Sequence, residues 1–208
     1  MWTVVAVFIV FLVIVLAEYL SRYKGVHTEL TRKLVHIVVG VFVAFWPFFL
    51  SWRQIQVLSF LLLVGVLVSV KFRMFGSIHA VSRNNLGEVL FALIIGILSI
   101  ITSQRWVFTA AMLHLSLADG FAAIFGLAWG EGTTYKLMGR TKSIVGSLAF
   151  FFTSFAIMVC YTAFSHAGFS SFNLVGLPVL ATIAENVSGE GTDNMVVPLL
   201  VALVLSSS

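Results

Sequence analysis

The 208-residue sequence has a single cysteine, Cys160, and it lies inside an apolar run. Disulfides and cysteine-based metal centres are therefore excluded. Proline is almost absent, with three residues, and charge is scarce. Asp, Glu, Lys and Arg make up 10% of the chain, against about 25% in an ordinary soluble domain. So little charge cannot clothe a water-facing surface. With 60% hydrophobic residues and a mean hydropathy of +1.09, the chain belongs in lipid. A helical span takes about 20 residues, so eight spans leave only short connections and no room for an appended soluble domain. No Pro/Gly/Ser-rich linker divides the sequence, and residues 1–208 read as one domain.

Continuous runs of Leu, Val, Ile and Phe predict an all-α transmembrane bundle. Its spans fall near 2–20, 34–50, 54–70, 86–101, 105–128, 143–166, 171–187 and 195–206. The runs lack the ten-residue alternation of a membrane β-barrel. The first span has neither a basic leader nor a small-residue cleavage site, which predicts a retained helix. Ten of the twelve Lys and Arg residues fall in alternate loops: Arg22, Lys24, Arg32 and Lys33, then Lys71, Arg73 and Arg83, then Lys136, Arg140 and Lys142. Only Arg53 and Arg105 fall opposite. This asymmetry predicts that the basic side is cytoplasmic and that both termini face out. All eight acids join the basic side: Glu18, Glu29, Glu88, Asp119, Glu131, Glu185, Glu190 and Asp193. Acids mixed with bases suit a metal-bound anionic ligand better than a plain basic patch for anionic lipid.

Asp119, in LHLSLADGFAAIFG, is the most informative of these residues. A carboxylate within a span costs about 2.5–3.5 kcal/mol on insertion scales and is a functional candidate for that reason. Gly120, Ala122, Ala123 and Gly126 would let a helix or a ligand approach closely. Glu88 opens the fourth span, where Asn84, Glu88 and Ala92 share a face; a dipole-stabilised helix start capped by Asn84 or Asn85 is the structural alternative. GRTKSIVGS supplies Arg140, Lys142, Ser143, Gly146 and Ser147 at a helix start, equipment for phosphate, although a lysine there also serves as a topological anchor. The segment is not a Walker loop. Glu185, Glu190, Asp193 and Asn194 form an oxygen-rich cluster suited to Mg²⁺, or a solvated loop. Arg32, His36 and Gly40 share one helical face, with His36 a proton carrier, a phosphate contact or a buried structural residue. His114 reads as packing.

In order along the chain, RKLVH (32–36), GE (87–88), LADGFAAIFG (117–126), GRTKSIVGS (139–147) and ENVSGEGTDNMVVP (185–198) resemble the successive motifs of the dolichol kinase, phytol kinase and CTP-dependent diacylglycerol kinase family. The short chain and the KSIVGS and TDN strings are most similar to the phytol and polyprenol branch. Members often carry Gly-Asp where this chain has Ala118-Asp119. The resemblance implies transfer of the γ-phosphate of CTP, with Mg²⁺ or another divalent cation, to the hydroxyl of an isoprenoid alcohol or diacylglycerol at the cytoplasmic face. On that reading Asp119, Glu185, Asp193 and Asn194 attend the metal. Lys142, with Arg32, Lys33, His36, Arg140, Ser143, Gly146 and Ser147, holds the nucleotide, and Glu88 or Asp119 takes the hydroxyl proton. A prokaryotic plasma membrane is the expected location. A CDP-lipid synthase of the phosphatidate cytidylyltransferase type and a small transporter are the rival readings. The first would release pyrophosphate, and the second would place its polar site near the midplane.

Overall fold

The structure is a computed structural model that describes residues 2–24, 28–72, 86–166, 168, 170–189 and 191–207. Arg73, Arg83, Asn84, Asn85 and Glu190 lie outside the described residues, as do the side chains of Glu18, Arg22, Lys24 and Glu29. Helices dominate: α1 (Trp2–Lys24), α2 (Thr28–Ala44), α3 (Trp52–Phe72), α4 (Leu86–Ile101), α5 (Arg105–Leu113), α6 (Asp119–Trp129), α7 (Ile144–Ser165), α8 (Leu177–Val187) and α9 (Asp193–Ser206). Among the described residues, four helical stretches are long and apolar enough to cross a membrane, namely Leu30–Phe48, Trp52–Phe72, Arg105–Trp129 and Ile144–Ser165. Four further apolar helices are shorter.

Local chemistry sets several boundaries. Ser51 and Gln54 form a reciprocal capping box at the start of α3: Ser51 N donates to Gln54 Oε1 at 2.8 Å, and Gln54 N donates to Ser51 Oγ at 3.3 Å. Ser143 caps α7 by accepting from Gly146 N at 3.0 Å. α2 begins at Thr28 rather than near residue 34, so the RKLVH segment is helical throughout.

Two departures from the sequence-based expectation matter for the site. The expected span over 105–128 is interrupted by a π turn, His114–Ala118, between α5 and α6; a second π turn, Phe172–Gly176, precedes α8. Also, the cationic loop before α7 is an antiparallel hairpin, β1 (Thr134–Leu137) and β2 (Arg140–Ser143). Its two-residue turn places Met138 at φ 49° and Gly139 at φ 76°, the geometry of a tight hairpin turn matched to strand twist. The all-α expectation therefore holds for the bundle but not for this connection.

Arg105–Trp129 is the central element and the most deeply buried of the four long stretches. α2, α7 and α9 pack around it, while α3 and α4 pair to one side. Small residues allow the close crossings. A β-carbon on Gly40 would collide with Ser116, one on Gly120 with Ile37, and one on Gly146 would stand 2.9 Å from the Ala122 carbonyl.

Candidate active site

The start of α2, the start of α6, the hairpin, the end of α8 and the start of α9 meet at one end of the bundle. Asp119, Glu185 and Asp193 converge there from three helices, and one oxygen of each lies within 4.8 Å of the other two. Asp119 and Glu185 are buried and Asp193 is half-buried. Like charges at that separation repel by about 3.5 kcal/mol per pair at an effective dielectric of about 20, so the cluster needs cations. Lys33 Nζ donates to Asp119 Oδ2 at 2.8 Å. Lys142 Nζ pairs with Glu185 Oε1 and donates to the Glu185 carbonyl at 3.2 Å. Two lysines facing three carboxylates leave the site one charge short of neutrality.

This donor set fits a divalent cation. Mg²⁺ is commonly bound through one or two carboxylates, with waters and substrate phosphates completing its shell.

The π turn explains the placement of Asp119. Widening the helix by one residue takes backbone groups out of register, a feature frequent at functional sites. His36 Nε2 donates to one of the carbonyls within the turn, that of Leu115, at 2.9 Å, which identifies that nitrogen as the protonated one. The same nitrogen lies 3.6 Å from Asp119 Oδ2. Ser116 and His114 bond back within their own helix, to the carbonyls of Met112 and Ala110. His114 is fully buried, in keeping with a packing role.

The hairpin register decides which base enters the site. Tyr135 stands opposite Lys142, and Lys136 opposite Thr141. The first pair faces inward and the second is exposed. Tyr135 Oη donates to Asn186 Oδ1 at 2.7 Å and lies 2.7 Å from Ser147 Oγ, which itself donates to Asn186 at 3.0 Å. This triangle ties the hairpin to α7 and α8. Arg140 lies over Gly189, so that a side chain at Gly189 would run into its guanidinium.

Several expected site residues sit apart from the carboxylate triad. Asn194 turns its amide away and donates to the Gly87 carbonyl at 2.8 Å. The Ser143 hydroxyl is engaged as a helix cap, and Gly146 is a packing contact. Arg32 and Glu88 line a neighbouring cavity together with His36 and Asn194, and the Arg32 charge acts on Glu88. Tyr135, Asn186 and the contact of Gly191 with Gly87 escape sequence reading. The alternation in TYKL and RTKS around Met138-Gly139 was the available signal for the hairpin, but no local pattern announces Asn186.

Apolar helices with acids, lysines and a carboxylate triad gathered at one end make that end a candidate enzyme site for a metal-bound anion. Comparisons with known proteins give the family. The chain is 31% identical over 204 residues to a phytol kinase of Synechocystis sp., with 92% of this chain and 84% of that protein covered. A probable chloroplastic phytol kinase of Triticum aestivum is 30% identical, covering 90% and 70% of the two chains. One from Zea mays is 28% identical, covering 92% and 71%. No family model matches, and no solved structure does. The chain belongs to the phytol kinase and polyprenol kinase-like family, and it is a phosphotransferase.

Proposed function

We propose that this protein is a lipid-alcohol kinase that transfers the γ-phosphate of CTP to the hydroxyl of an isoprenoid alcohol of the phytol or polyprenol type. Eight helical stretches, α5 and α6 counting as one, would span the membrane, with the N-terminus outside and the site at the cytoplasmic face of a prokaryotic plasma membrane. The observation that carries the reading is the convergence of Asp119, Glu185 and Asp193 with Lys33 and Lys142 at one end of the bundle. The donor and the acceptor class rest on the family resemblance, and the sidedness rests on the distribution of basic residues.

Phosphoryl transfer asks mainly for positioning and charge neutralisation. Asp119, Glu185 and Asp193 would hold a divalent cation, which would supply positive charge to offset that on the nucleotide phosphates. Lys33 and Lys142 exchange their carboxylate partners for phosphate oxygens, and Arg140 on β2 extends the cationic wall. His36 is fixed by the Leu115 carbonyl and packs beside the Asp119 carboxylate. Asp119 is committed to the cation, so Glu88 is the better placed of the two candidates to accept the hydroxyl proton.

The deciding experiment supplies purified protein in detergent with Mg²⁺, γ-labelled CTP or ATP, and a panel of isoprenoid alcohols and diacylglycerol. Label passing from CTP into an isoprenyl phosphate is the expected result. A CDP-lipid with released pyrophosphate, or transfer to no lipid, would refute the reading.

A further inference from the structure

Beside the carboxylate site lies a cavity of about 410 Å³, inside the range of about 300–1,000 Å³ typical of small-molecule sites. It is enclosed by α1, α2, α3 and α4, and its two ends differ. Arg32, His36, Glu88 and Asn194 line one end; Arg32, Glu88 and Asn194 lie within the first five residues of their helices, and His36 stands midway along α2 beside Asp119. Away from them the walls are aliphatic and aromatic, from Val7 and Phe11 of α1 to Leu58 and Leu62 of α3. Measured along α3, the lining runs from Ser69 to Leu58, about 16 Å at 1.5 Å per residue.

His36 joins the two compartments. It lines the cavity and also stands 3.6 Å from the Asp119 carboxylate. A molecule with a long apolar tail and one polar end therefore fits in a single orientation, its polar end beside the phosphate site. A second groove of about 610 Å³ runs between α5, α6 and α7, past Phe121, Phe125 and Ala156. Its lining carries no acid, base or histidine, and its polar side chains are Thr153 and Cys160.

Resting on the lipid-alcohol kinase reading, we infer that the cavity between α1 and α4 is the acceptor subsite. It takes the prenyl tail of the alcohol, with the hydroxyl held between Glu88 and His36. The tail enters between α1 and α3, which pack on one another only slightly. Gly65 of α3 lines the passage about 6 Å from Ser69 along the helix. A β-carbon placed there meets nothing within 4 Å, so a side chain at this position grows into the space a tail would use. Gly65 thereby controls which tails can enter.

The test compares wild type with Gly65→Phe on phytol, a C20 alcohol, and on prenol, a C5 alcohol whose tail ends before Gly65. Excluding each methylene from apolar contact weakens binding about fourfold, so losing two or more makes the expected drop in the phytol-to-prenol ratio of kcat/KM greater than tenfold. Gly65→Ala should fall between the two. Ala156→Phe, in the other groove, should keep the wild-type ratio. A diazirine-bearing C20 alcohol, added without nucleotide, should label α1 and α3 peptides in wild type, which reports occupancy without reference to turnover. Wild type active on phytol with an unchanged ratio in Gly65→Phe, a shifted ratio in Ala156→Phe, or label on α5 and α7 would overturn the subsite while leaving the kinase reading intact. Phosphate transfer to no alcohol at all would remove the kinase reading and the subsite with it.

Discussion

Asp119→Asn separates what the carboxylate does for the fold from what it does for chemistry. The substitution keeps shape but removes the charge that faces Lys33 at 2.8 Å. The two side chains are only 14% and 11% exposed, so the variant buries a lysine without its counter-charge. Breaking such a pair costs about 3 kcal/mol, the lower end of the range for buried ion pairs. Lys33→Met removes the stranded charge, and in the double variant most of that loss should return. Activity should behave differently. Removing one preorganised electrostatic partner of the reacting group costs about 10²-fold or more in turnover, and the methionine restores nothing at the metal or the phosphates. Thermal unfolding in detergent and phosphate transfer, measured on all four proteins, complete the cycle. Recovery of stability without recovery of activity is expected. Full activity in Asp119→Asn, or activity rescued in the double variant, would show that Asp119 serves the fold alone.

Two further outcomes follow from the same geometry. Asp193→Asn should raise the Mg²⁺ concentration for half-maximal activity, and weaken Mn²⁺ binding measured by electron paramagnetic resonance, by about tenfold or more, at least the loss seen when a residue supporting metal ligands is changed; unchanged Mn²⁺ affinity would take Asp193 out of the metal site. Gly191 has φ +85°, and a β-carbon on it would run into the Gly87 backbone. Gly191→Ala should therefore lower the thermal midpoint by several degrees through backbone strain of about 1–3 kcal/mol, whereas a midpoint equal to wild type would show that the loop adjusts freely.

Much of the site was legible in the residues, because lipid makes charge expensive. An acid such as Asp119 inside an apolar run stands out against its surroundings, whereas Glu185 and Asp193 are legible as an oxygen-rich cluster and Lys142 as a cation at a helix start. Their assembly into one cluster was not legible. Asn194 follows Asp193 directly, yet its amide turns to Gly87 while Asp193 joins the triad. Arg32 and Lys33 are also neighbours, but α2 points one into the cavity and the other at Asp119, since successive helical residues are turned about 100° apart.

Composition along the chain determined that this protein folds into apolar helices, several long enough to cross a membrane. Those properties depend on transfer free energies, which add residue by residue. Only the tertiary structure decided that the hairpin presents Lys142 and leaves Lys136 outside, because strand register is a relation between two segments. It also decided that a π turn sets the stretch carrying Asp119 and that an apolar cavity opens beside the acids. These features arise from packing between helices far apart in sequence, and local patterns do not carry that information.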